Sequence, residues 1–154
     1  MKRHNTSEAA YEKSNSVETV GLTKFRKTEY KDLLKDGNRQ KKAQALVNYL
    51  CEKFHIPTVP VFVVNTPQPH ATNGSGNLRS KTLGTYTHSV LYSMITMYNL
   101  TAVKKQTVSI KTFAGTLLHE FMHHYDIHYL KMDATPHTAG FYKRISDLEG
   151  KLSD

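Results

Sequence analysis

Apolar residues recur at three- and four-residue intervals from Arg39 onward, at Ala43, Leu46, Val47, Leu50 and Phe54. That spacing predicts a helix with one buried face. It should end near His55, because Pro57 disfavours helical geometry in the residue before it. Residues 59–64 (VPVFVV) are short and β-branched and predict a strand. Residues 83–87 and 93–98 predict a second and a third strand, and residues 88–92 connect them as an antiparallel hairpin. Phe113, Leu117, Phe121 and Tyr125 then repeat every four residues. They predict a long helix capped by Ser109 and running to about Tyr129. A last helix, over residues 138–152, carries Phe141, Ile145 and Leu148. A short helix over residues 28–35 precedes the stop signal Asp36-Gly37-Asn38.

Two stretches lack any such period. Residues 1–22 are polar and are expected to form a mobile arm before a single domain over residues 23–154. Residues 65–81 hold two Pro and two Gly, and read as a long loop able to gate a cleft. The expected architecture is α+β. A small, twisted, three-stranded sheet packs on an N-terminal helix and the long helix, with a short helix at the C-terminus.

Composition narrows the class. The chain has 154 residues, 38% hydrophobic, which suits one buried core and argues against disorder. Cys51 is the single cysteine, so no internal disulfide framework exists, and the expected setting is reducing, intracellular and cytoplasmic. No apolar run nears the roughly 20 residues that cross a bilayer, so no membrane partner is expected. The formal net charge is +8, with local density at Lys24, Arg26, Lys27, Lys31, Lys35, Arg39, Lys41 and Lys42. Such a field attracts phosphate backbones, which makes non-specific DNA a candidate partner.

The long helix contains His119-Glu120-Phe121-Met122-His123, an HExxH pattern. Positions i and i+4 share a helix face one turn apart, so both imidazoles can reach one metal ion. Glu120 then flanks the ion and serves as general base for a water whose pKa Zn²⁺ lowers toward about 7. One Zn²⁺ per chain is the expected cofactor. A third ligand is required. His124 and His128 are rotated about 140° and 180° from His119 and cannot share the ion. The spaced pattern HExxHxxGxxH fails, because Asp126 stands where Gly belongs and Tyr129 replaces the last His. His137, at the start of the last helix, is preferred over Glu149. Asp126 returns to the ligand face and is expected to accept a hydrogen bond from a ligand imidazole. Tyr142, Tyr125 and His124 are candidate donors to a tetrahedral oxyanion.

The segment from Thr116 to His124, followed by His137-xxx-Phe141-Tyr142-Lys143-Arg144, resembles the SprT-like and WLM metallopeptidases, compact zincins of minigluzincin type. The likeness spans roughly residues 40–150, with residues 83–86 and 95–99 similar to the strands that precede the active-site helix in that group. It implies zinc held by His119, His123 and His137, with Glu120 as base. It also implies hydrolysis of peptide bonds in a protein or peptide substrate and, for some members, of DNA-crosslinked proteins. The Cys-rich zinc-binding tail of several SprT relatives has no counterpart in these residues. Two other readings compete: a basic nucleic-acid-binding module with a structural metal site and no hydrolytic activity, and a zinc hydrolase of non-peptide amides.

Overall fold

A computed structural model describes residues 2–72 and 78–153 of the chain. The apolar period from Arg39 yields helix α3 (Arg39–Phe54), which buries Ala43, Leu46, Val47, Leu50, Cys51 and Phe54. Asn38, in the left-handed region at φ 43°, accepts the Lys41 N–H and opens the helix. His55, at φ 56°, closes it. Before it runs the short helix α2 (Thr28–Leu34), with Tyr30 and Leu33 buried.

Three strands form the main sheet: β1 (Val61–Pro67), β4 (Gly84–His88) and β5 (Ser93–Leu100). Their order is β1-β5-β4, with β1 parallel and β4 antiparallel to the central β5. The hairpin read from residues 83–98 is therefore present. Ile95 and Met97 of β5 are fully buried, and Val61 and Tyr86 lie opposite Ile95 in register. Helix α4 (Ile110–His128) packs on β4 and β5. Gly84 permits that approach: a Cβ there would stand 3.1 Å from both Met97 Sδ and Thr116 Cγ2. β4 is left as an edge strand running beside α4.

Two expectations change. Part of the long loop over residues 65–81 is ordered as a second, two-stranded antiparallel sheet of β2 (His70–Thr72) and β3 (Leu78–Lys81). Polar, Pro-flanked strands of three and four residues carry too little alternation to be read in advance. Residues 73–77, the tip of the expected gate, lie outside the described residues. The polar arm over residues 1–22 is a helix, α1 (Lys2–Ser16), followed by Val20, which is buried in the core. α1 docks on the last helix, α5 (Ala139–Ser153), through polar atoms rather than an apolar stripe. Ser14 Oγ lies 2.8 Å from Thr138 Oγ1, and Arg144 donates to the carbonyls of Ser14 and Val17 at 2.6 Å. No helix among the described residues is long and apolar enough to cross a membrane.

Candidate metal centre

Helix α4 sorts its side chains by face. Phe113, Leu117, Phe121 and Tyr125 enter the core, while His119 and His123 project one turn apart toward a cleft. After α4 the chain turns back, and His137, just ahead of α5, faces the same point. Phe141, fully buried one turn into α5, packs against all three imidazoles, with ring centroids 4.7–5.2 Å away. His137 Nε2 stands 3.3 Å from His119 Nε2 and 3.0 Å from His123 Nε2. His119, His123 and His137 thus form a group that can hold a metal ion.

The electrostatics suit that role. Burial, reinforced by the neighbouring imidazoles, pulls His119 down to about 4 and His123 down to about 3. Both rings are therefore neutral near pH 7 and offer lone pairs, the form a metal requires. The proton on His123 is also placed. Its Nδ1 lies 2.8 Å from Thr135 Oγ1, whose hydroxyl donates to Asp126 Oδ2 at 2.9 Å. With its proton committed to Asp126, the Thr135 oxygen accepts from Nδ1–H, which leaves Nε2 unprotonated toward the centre.

Glu120 follows His119 and lines the same cleft, of about 510 Å³, together with Leu83, Gly84, Lys111, Thr112 and Thr116. It is only 6% exposed, and burial pushes its carboxyl up to about 7. A carboxyl tuned there can both take and return a proton near neutrality. The segment leading into β4, residues 82–84, forms one wall of the cleft, and α4 forms the other.

The remaining sequence candidates separate. Tyr142 is half exposed, its ring 5.9 Å from those of His119 and His137, and it stays beside the centre. Tyr125 does not. It is fully buried on the core face against Phe54, and its hydroxyl accepts the Gly21 N–H at 2.9 Å. His124 is also excluded as an oxyanion donor, because both its nitrogens are engaged. Nε2–H donates to the Pro57 carbonyl at 2.7 Å, and Nδ1 accepts the Tyr86 hydroxyl at 2.8 Å. His128 lies against His124 and His88, away from the centre. Glu149 is exposed and outside the histidine group. Asp126 is fully buried, but Thr135 stands between it and the ligand imidazole where direct contact was expected.

Sequence reasoning missed Thr135 and Arg144. Arg144 is 0% exposed and donates from Nη2 to both Asp126 oxygens at 2.9 Å. The one available signal was a charged residue inside the apolar stripe Phe141, Ile145, Leu148. Thr135 offered none, since its role depends on how the connection after α4 folds back. Comparison with known proteins adds no relative: no family model, no curated protein and no solved structure matches the chain.

Proposed function

We propose that the chain is a zinc-dependent metallopeptidase of the SprT-like and WLM kind. The observation that carries the reading is the convergence of three imidazole Nε2 atoms beside a buried glutamate in one open cleft. Three corners of a tetrahedron with zinc–nitrogen bonds of about 2.0–2.1 Å stand about 3.3–3.4 Å apart. The separations of 3.3 and 3.0 Å are close to those edges. Three imidazole ligands leave a fourth position for water, the arrangement of catalytic rather than structural zinc sites. When bound, zinc would polarise the scissile carbonyl and acidify a water toward about 7.

The chain's own residues do the rest. Glu120 would take a proton from the attacking water and return it to the leaving amine. Tyr142, its ring 5.9 Å from that of His119, is the remaining candidate to donate to the oxygen that gains charge. The free edge of β4, which meets the cleft at Gly84, could offer backbone groups to an extended peptide. The basic-module reading draws less support. Within the Lys- and Arg-rich stretch, Arg26 pairs with Glu29, Arg39 with Asp36 and Lys42 with Asp32.

Glu120→Gln is the direct test. It keeps the three imidazoles and removes the base, so it should retain zinc while protein hydrolysis falls by about 10²-fold or more. A variant that cleaves a denatured protein substrate as fast as the parent removes Glu120 from the mechanism.

A further inference from the structure

Arg144 spans two parts of the molecule that no sequence pattern connects. Its Nη2 grips Asp126, and its Nη1 donates to the carbonyls of Ser14 and Val17 at the C-terminal end of α1. Those carbonyls belong to the group that a helix leaves unpaired at its end, where a cation is also favoured. Asp126 in turn accepts from Thr135, which accepts from His123. A second branch leads to the other end of the site. Ser14 Oγ meets Thr138 Oγ1 at 2.8 Å, and Thr138 Oγ1 also accepts the Phe141 N–H at 3.0 Å, capping the start of α5 directly after His137. Ser14, Thr138, Arg144 and Asp126 are all buried.

We propose that Thr135 and Arg144 are positioning residues through which docked α1 holds His123 and His137 in their metal-binding geometry, so that the N-terminal helix sets metal affinity without touching the metal. The inference rests on the zinc reading and adds to it. Ionised Asp126 can only accept, so Thr135 must donate to it, and the proton of His123 must sit on Nδ1. Without the hydroxyl nothing fixes that tautomer. Without α1, Arg144 loses both carbonyls of Ser14 and Val17, and Asp126 loses the groups that hold its partner in place.

Three variants separate the branches. Thr135→Val keeps the shape and removes the relay, and Thr135→Ser restores the hydroxyl. Gly140→Ala acts from outside the site: a Cβ there would meet Ser14 O at 2.2 Å and Asn15 O at 2.7 Å, so α1 must shift off α5. Zinc affinity is read by competition with a chromogenic chelator, and ligand geometry by the visible absorption of the cobalt-substituted protein. Loss of an outer hydrogen bond to a ligand typically weakens metal binding about 10–100-fold, and that is expected for Thr135→Val, with an altered cobalt spectrum. Thr135→Ser should bind as the parent does, and Gly140→Ala should weaken binding about several-fold in the same direction. Thr135→Val with parental zinc affinity and spectrum overturns the relay. Gly140→Ala with parental affinity overturns the part played by α1. A parent protein that binds no zinc overturns the underlying metal reading, and the relay with it, and is distinguishable because all variants then behave alike.

Discussion

Single residues in this chain are assigned by what surrounds them more than by their type. Histidine shows it best. His119 and His123 turn lone pairs to one point, while the adjacent His124 spends both nitrogens tying β4 to the segment after α3. The HExxH spacing made the first two legible as a pair on one face, and His124 and His128 lie outside the histidine group. That spacing could not reveal that the proton of His123 is governed by Thr135, because hydrogen bonds between distant elements leave no period in a sequence. Cys51 gives a prediction at this scale. It is fully buried among apolar side chains, and burial pushes its thiol up to about 12. The reactive thiolate is therefore scarce below that value. The folded protein should resist iodoacetamide at pH 8 and become labelled in denaturant. Rapid native labelling, followed by mass spectrometry, would contradict the burial of α3 against the core.

Elements were readable in proportion to how far apolar burial alone forms them. α3, α4 and α5 each bury a stripe, and each was visible as a three-and-four period with recognisable ends. α1 was not, because its docking surface is Ser14, backbone carbonyls and the missing side chain of Gly140. β2 and β3 were hidden for a similar reason, being short, polar strands. The junction between α2 and α3 carries its own pH signature. Asp36 is held down at about 2, first by the Arg39 guanidinium and then by the Gly37 N–H. Arg39 also reaches Asn99 on β5 at 2.9 Å, so this pair fastens the start of α3 to the sheet. A carboxylate with a lowered folded pKa stabilises fully above its unfolded value, near 4, and loses that contribution as pH falls toward 2. Asp36 lies in the left-handed region at φ 63°, which Asn also tolerates, so Asp36→Asn should lower the melting temperature at pH 7 through the lost ion pair. The difference from the parent should shrink as pH drops from about 4 to 2. A difference that persists at pH 2 would rule out the ionic origin.

At the scale of the whole molecule, the sheet and α4 supply a cleft, and the two chain ends close behind it. Arg144 of α5 holds α1, so the first and last described helices meet beside the histidine group. The α+β class and the strand hairpin followed from the sequence. The parallel pairing of β1 with β5 did not, because strand order depends on how α3 and α4 pack across the sheet. The histidine group that can hold a metal was legible as three residues, and its support was not. The account stands on those three imidazoles holding a single zinc ion with a place left for water. X-ray absorption at the zinc edge of the metal-loaded protein tests this most directly. The account predicts about one zinc per chain, with about three imidazole nitrogens near 2.0–2.1 Å and one further light-atom ligand. A spectrum with sulfur ligation, with six oxygen neighbours, or unchanged by His137→Ala would contradict it.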